Sequence, residues 1–333
     1  MTTVEKEIRE QITDLPNILS FMKDFVKTGK LPDFLFDADL VYFVGCGSSH
    51  YNGIAASRYF IQKTGIEARA LPGGEIFFAK NQNIGSNTMK RAAVLISRSG
   101  ESTEVLLAGK VFKQLGIPTL GITTVNNSSL VKIVDRSIVL PLDEVSIVMT
   151  KSFSAILLAL QLLVDYYSNG NFEYYDELVR LIPDIIEKSF EMIENDQLCS
   201  YKRFIFLGIG SFEGIAREGA LKLEEMSLNT TKAFSTYEFR HGPKSMADEE
   251  TLVTIFGDIT TEERKLADEL RSYGSKIIYV GSGEPDIYTG GEMGLFLSPI
   301  FSQILGLKIA EAKGLNVEAP RNLTKVVRFV HNA

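Results

Sequence analysis

Four hydroxyls crowd one short stretch of the chain: Ser97, Ser99, Ser102 and Thr103 surround Gly100. Where a strand gives way to a helix, hydroxyl donors and free backbone N–H groups form a cradle for an anion such as phosphate, without a metal. The competing reading is capping, with Ser99 as an N-cap and Ser102 as a solvated first-turn residue. Capping accounts for one serine rather than for four hydroxyls. Gly45-Cys46-Gly47-Ser48-Ser49 and Gly208-Ile209-Gly210-Ser211 are glycine turns in the same setting, where the helix dipole favours an anion. A nicotinamide fingerprint needs a third glycine, and His50 and Glu213 stand there instead, so no cofactor is expected. Further on, Glu218, Lys222 and Glu225 are spaced i, i+4, i+7 and share one face of a helix. A solvated ion pair is the plain alternative, against which the neighbouring Gly219-Ala220 implies tight packing. His241, one of three histidines, sits in a loop before Gly242-Pro243, and Lys325 sits in the C-terminal segment. Read alone, each is a solvated residue.

These residues need elements to hold them. Leu40 to Val44 is an apolar run that reads as a buried strand, followed through the glycine turn by a helix from about Ser49 to Thr64. Ala92 to Ile96, the serine turn, and a helix from Glu101 to Leu115 repeat the unit, and Leu120 to Thr123 and Ile138 to Leu140 are further strands. Two helical stretches follow, Ser152 to Tyr167 and Tyr174 to Asn195. The pattern then restarts, since Phe204-Ile205-Phe206-Leu207-Gly208-Ile209-Gly210-Ser211 echoes Tyr42-Phe43-Val44-Gly45-Cys46-Gly47-Ser48. The second unit has a helix to about Leu228, strands at Leu252 to Phe256 and Lys276 to Val280, and helices at Thr261 to Tyr273 and Leu295 to Lys313. Its turn Gly257-Asp258-Ile259-Thr260 carries an aspartate that repels phosphate. Strands alternating with helices of this length predict an α/β fold of two tandem units, each a parallel sheet flanked by helices. The boundaries expected are 1–30 for N-terminal helices broken near Pro16, 31–170 for the first unit, 171–200 for a helical linker, 201–315 for the second, and 316–333 for an extended tail.

The chain has 333 residues, 45% hydrophobic and 23% charged, which suits two soluble globular domains and excludes disordered and fibrous classes. A net charge of −7 advertises no nucleic-acid partner. Cys46 and Cys199 form neither a disulfide framework nor a metal-ligand spacing, so no metal is expected and the setting is read as cytoplasmic. The N-terminus has no apolar core of a signal peptide, and the apolar run Phe153 to Val164 is too short to span a membrane and is interrupted by Gln161. It reads as a buried helix, with no membrane partner.

The two units resemble sugar isomerase (SIS) domains, and the pair resembles the isomerase half of the glucosamine-6-phosphate synthase family over nearly the whole chain. Six motifs carry the resemblance in order: Gly45-Cys46-Gly47-Ser48-Ser49, Ser97-Arg98-Ser99-Gly100-Glu101-Ser102, Thr150-Lys151-Ser152-Phe153, Glu218-Gly219-Ala220-Leu221-Lys222-Leu223-x-Glu225, Glu238-x-x-His241-Gly242-Pro243 and Pro320-Arg321-Asn322-Leu323-x-Lys325. The resemblance implies a flavodoxin-like, doubly wound fold and an enzyme acting on a small sugar phosphate. Ser49, Ser97, Arg98, Ser99 and Ser102 would hold the phosphate, and Gly47, Ser48, Ile147 and Glu218 would border the sugar. Glu225 would be the base moving a proton between C1 and C2, His241 from the partner subunit of a homodimer would assist ring opening, Lys325 would approach the open-chain carbonyl, where a transient imine is an open question, and Lys222 would support the site. Arg98 stands where that synthase has a glutamine, adding a charge beside the anion. Met149 stands where a serine hydroxyl would face the sugar.

No glutaminase-like domain is expected ahead of the first unit, and no cysteine follows Met1, so the chain is not expected to release ammonia from glutamine itself. The resemblance to related SIS deaminases then implies deamination of glucosamine 6-phosphate to fructose 6-phosphate and ammonia. The alternatives are ammonia-dependent synthesis, or synthesis fed by a separate glutaminase subunit; a fructosamine-phosphate deglycase; and a non-catalytic sugar-phosphate sensor.

Overall fold

A computed structural model describes residues 1–29, 31–85, 88–168, 170 and 172–329. The chain packs as two compact units. One takes Asn17–Glu144, Ala155–Phe172 and the tail from Thr324; the other takes Met1–Pro16, Val145–Ser154 and Glu173–Leu323. Two long helices, α1 (Thr3–Lys27) and α7 (Lys151–Ser168), each contribute to both units.

Contrary to the expected break at Pro16, α1 runs unbroken through it. A mid-helix proline costs about 3 kcal/mol. One continuous stripe of buried residues, Val4, Ile8, Leu15, Ile18, Leu19, Met22 and Val26, outweighs that loss. The division between units falls directly after Pro16.

The first unit alternates β1 (Leu40–Gly45), α2 (Ser48–Thr64), β2 (Glu67–Pro72), the short helices α3 (Gly73–Phe78) and α4 (Lys80–Asn83), β3 (Arg91–Ile96), α5 (Thr103–Gln114), β4 (Thr119–Thr123), α6 (Ser129–Ile133) and β5 (Arg136–Val139). All five strands are parallel, in the order β2-β1-β3-β4-β5. Phe43 in β1 lies opposite Ala70 on one side and Val94 on the other. β1 and β4 are buried along their whole length, as apolar runs in parallel sheets are. β2, at the sheet edge, alternates exposed and partly buried residues in Glu67-Ala68-Arg69-Ala70, and no apolar run announces it.

The stretch read as one helix from Tyr174 is two: α8 (Tyr175–Val179) and α9 (Ile182–Asn195). Pro183 stands in the first turn of α9, where its missing N–H does no harm, whereas a continuous helix would drive its ring into the carbonyl of Val179.

The second unit follows with β6 (Arg203–Gly208), α10 (Phe212–Ser227), β7 (Thr231–Phe234), β8 (Thr251–Asp258), α11 (Thr261–Ser272), β9 (Lys276–Ser282), β10 (Ile287–Tyr288) and α12 (Pro299–Ala312). Its order, β7-β6-β8-β9-β10, is that of the first sheet, strand for strand, and again every pairing is parallel. Both sheets are flanked by helices, the doubly wound α/β class expected. Residues 295–312 are helical and apolar enough to cross a membrane, but 83% of that stretch is buried inside the protein, as in a core helix.

Candidate active site

In each sheet the first strand lies between the second and the third, so the chain direction switches there. Ligand crevices of doubly wound sheets form outside the carboxyl ends of the strands at such a switch. In the first unit those ends carry the glycine turn after β1 and the serine turn after β3. Gly45 is required because a Cβ there would lie 2.4 Å from the Ser49 carbonyl carbon, and Gly47 takes a left-handed φ of 55°. The turn thereby brings Ser48 and Ser49, both buried, to the head of α2.

The serine turn is tied by its own side chains. Ser97 Oγ accepts the Gly100 N–H at 3.1 Å, Ser99 Oγ accepts the Glu101 N–H at 3.1 Å, and Ser97 Oγ lies 3.3 Å from Ser102 Oγ. A hydroxyl that accepts an N–H keeps its own proton for donation, so capping and anion binding are compatible here. Ser102 is the N-cap of α5, and its side chain makes no capping bond. Glu101, the acid within the turn, faces away: its carboxylate accepts the Ser129 N–H at 2.7 Å and hydroxyl at 3.0 Å. The Ser129 N–H holds that carboxyl below the ordinary glutamate range.

Arg98 meets a partner the sequence reading missed. Its Nη1 donates to Glu144 Oε2 at 2.7 Å, and both side chains are buried. The added positive charge is therefore balanced by a carboxylate. Lys325 donates from Nζ to the Glu144 carbonyl, so Glu144 joins the serine turn to the tail lysine. The tail continues along the head of α5: Val327 O accepts the Thr103 N–H at 3.4 Å, and Thr103 Oγ1 accepts the Phe329 N–H at 3.2 Å. Buried arginine needs a counter-charge; an acid just beyond the last strand of that unit was the signal available for Glu144.

The equivalent end of the second sheet repeats the geometry without the chemistry. A Cβ on Gly208 would lie 2.2 Å from the Phe212 carbonyl oxygen, and Gly210 has φ 60°. Its third strand, however, ends in Asp258, which accepts Ser282 Oγ at 2.6 Å and the Glu292 N–H at 3.2 Å. The N-terminus of α11 is filled by its own capping box: Thr260 Oγ1 accepts the Glu263 N–H, while buried Glu263 accepts the Thr260 N–H. A carboxylate already occupies the place of an anion.

Along α10 of this unit, Glu218, Lys222 and Glu225 do share a face, and it is not solvated. Glu218 and Lys222 are fully buried; Lys222 Nζ lies 3.2 Å from Glu218 Oε1 and 2.5 Å from Glu225 Oε2. Glu225 alone keeps a 19% exposed side chain. Burial pulls the lysine pKa down, but the charges of Glu218 and Glu225 more than offset it and hold Lys222 charged. The close packing read from Gly219 has a source: a Cβ there would lie 2.9 Å from the Phe206 ring and 3.3 Å from Ser302 Cβ. Glu224, next in sequence, faces solvent and accepts the Thr231 hydroxyl at 2.8 Å.

His241 ends a short 3-10 turn, Glu238–Arg240, and is exposed; Gly242, with φ 113°, lets the chain reverse into Pro243. Ile147 is partly buried and Met149 buried, both in the connection leading to α7. Among the described residues no three His, Cys, Asp or Glu side chains group as metal ligands. Burial pushes the Cys46 thiol up to about 11, away from a reactive thiolate.

The SIS domain family matches this chain over residues 34–165 and 197–285. A solved glucosamine-6-phosphate deaminase from Thermotoga maritima is 37% identical, with a TM-score of 0.88 over 98% of this chain and 99% of that one. The C-terminal domain of a glucosamine-fructose-6-phosphate aminotransferase from Francisella tularensis shares the fold (TM-score 0.77, 23% identity, 96% and 98% covered). A glutamine–fructose-6-phosphate aminotransferase (isomerizing) from Fusobacterium nucleatum is 28% identical over 97% of this chain, which spans 58% of that relative's length.

Proposed function

The chain belongs to the SIS domain family, and from that premise we propose that it is an amino-sugar-phosphate isomerase that deaminates glucosamine 6-phosphate to fructose 6-phosphate and ammonia. The observation that carries this reading is a hydroxyl-lined turn at one topological switch point together with a buried lysine–carboxylate cluster whose outer member, Glu225, stays accessible. Ser49, Ser97, Ser99 and Ser102 hold the phosphate. His241 assists ring opening, and Lys325 approaches the C1 carbonyl. Glu225 takes the C2 proton and returns it to C1, so the amino group becomes a ketimine at C2. Water then adds at C2 and ammonia leaves. Lys222, fixed in the charged state, orients the Glu225 carboxylate between the two carbons. The likeness to the Thermotoga deaminase over almost the full length of both chains supports the deaminating direction.

Synthesis has its own support, the 28% identity to a glutamine–fructose-6-phosphate aminotransferase (isomerizing). One experiment separates the readings. Purified protein is incubated with glucosamine 6-phosphate, with fructose 6-phosphate plus ammonia, and with fructoselysine 6-phosphate, and ammonia and ketose phosphate are assayed together. Stoichiometric release of both from glucosamine 6-phosphate is expected. Net synthesis alone would favour the aminotransferase half, turnover of fructoselysine 6-phosphate alone a deglycase, and binding without turnover a sensor.

A further inference from the structure

The connection Val145–Thr150 is held by α1 at three points. Glu7, Glu10, Gln11 and Asp14 are spaced i, i+3, i+4, i+7 and form one face of that helix. Buried Glu7 accepts the N–H of Val145 and that of Ser146, the latter at 3.2 Å. At the other end, Lys151 Nζ donates to Glu10 Oε2 at 2.6 Å and Asp14 Oδ2 at 2.8 Å with its side chain only 5% exposed. Gln11 Nε2 donates to Gln303 Oε1 at 3.0 Å, and Gln303 Nε2 in turn donates to the Thr150 carbonyl at 3.1 Å.

These contacts do more than fill space. One carboxylate takes two consecutive backbone N–H groups only if the chain turns them to the same side. The consequence is visible at Val145, a residue 66% exposed whose N–H points to Glu7. Apolar packing left to itself would bury that valine. Nor does stability require the buried charges, since a well-packed apolar group is often as good as a buried ion pair. What they impose is a shape.

We infer that the Glu7–Asp14 face of α1, with Lys151, positions the Val145–Thr150 connection for turnover. The inference rests on the proposed reading in which Ile147 of this connection borders the sugar. Glu7, Glu10, Asp14 and Lys151 are then positioning residues that act through the connection.

The test compares Lys151→Met, Lys151→Arg, Glu7→Ala and Glu7→Gln by amide hydrogen exchange and by kinetics with glucosamine 6-phosphate. In Lys151→Met and Glu7→Ala the amides of 145–150 should exchange about 30-fold faster while those of α10 keep the parental rate. For the same two variants kcat should fall about 20-fold with KM within about threefold. Lys151→Arg should recover to within about fivefold of the parent, because a charged donor is restored. Parental exchange in the connection, or faster exchange with unaltered kcat, would overturn the inference. If Lys151→Met does not fold, Glu7→Gln, which keeps one acceptor, should give intermediate exchange and rate, and a parental value for both would overturn it. If the parent does not turn over glucosamine 6-phosphate, the proposed reaction fails separately. Glucitol 6-phosphate, an open-chain probe, should still slow exchange of 145–150 in the parent and not in Glu7→Ala; equal protection in both, or in neither, overturns the positioning role.

Discussion

Ser97 and Ser99 each accept a turn N–H on the hydroxyl oxygen, and in the proposed reading each gives its hydroxyl proton to the phosphate. Replacing both by alanine should therefore weaken a phosphorylated sugar by about 1.5–3 kcal/mol for each lost charge-assisted bond. It should also cost the apo protein about 1 kcal/mol at each turn N–H left without its acceptor. Calorimetric titration and thermal unfolding separate the two losses, and parental affinity in the double variant would remove the phosphate assignment. Glu225 offers a different experiment. Glu225→Gln still accepts from Lys222 through its amide oxygen but takes no proton, so substrate should bind while exchange of its C2 hydrogen with heavy water stops. Glu224 is a poor substitute base, facing solvent with its carboxylate on Thr231. Exchange at the parental rate, followed by proton NMR, would move the base elsewhere.

At the scale of elements, what was legible in the residue pattern was whatever rested on local periodicity. β1, β3 and β6 contain unbroken apolar runs, and the i, i+4, i+7 spacing on α10 needed nothing beyond helical geometry. Parallel pairing with flanking helices followed from alternating strands and helices, whereas the doubly wound fold came from the family resemblance. What was not legible depended on tertiary partners: β2 is a half-exposed edge, Pro16 survives inside α1 because of the stripe around it, and Arg98 is neutralised by Glu144 from 46 residues away. The same contrast gives a prediction for α11. Thr260→Ala removes a capping box and should cost about 1 kcal/mol of stability by denaturant unfolding. It should leave phosphosugar affinity untouched, with one sugar phosphate bound per chain. A second equivalent bound by the variant would show that the Thr260–Glu263 cap had been masking an anion site. The α1 contacts have a pH window of their own. The hydrogen bond from Lys151 holds Glu10 below its ordinary 4.5, so that contribution is full above pH 4.5 and is lost as pH falls through the lowered value. Burial opposes the charge on Lys151, but its bonds to Asp14 and Glu10 raise it above 10.5, so its contribution is full below pH 10.5 and is lost only as pH climbs past the raised value. The difference in melting temperature between the parent and Lys151→Met should thus be flat from about pH 5 to about pH 9 and shrink below about pH 4. A difference that vanished near neutrality would assign the effect to another group.

At the scale of the whole molecule the open quantity is how many chains make one site. The family resemblance implies that His241 comes from a second copy, and its exposed place on a loop leaves it available to one. A two-fold dimer makes every such contact twice, so each site would combine Glu225 of one chain with His241 of the other. Glu225→Gln and His241→Ala should then each be nearly inactive alone. In a mixed dimer one site collects both lesions and the other collects neither. Unfolding and refolding equal amounts of the two variants together should yield mixed dimers as half of the population, each with one intact site. Activity should rise to about a quarter of the parental value by that symmetry. Sedimentation of the refolded material checks that dimers have formed, and refolded parent sets the scale. A mixture that stays inactive while refolded parent regains its activity would mean that His241 serves its own chain, and the two-chain site would be abandoned.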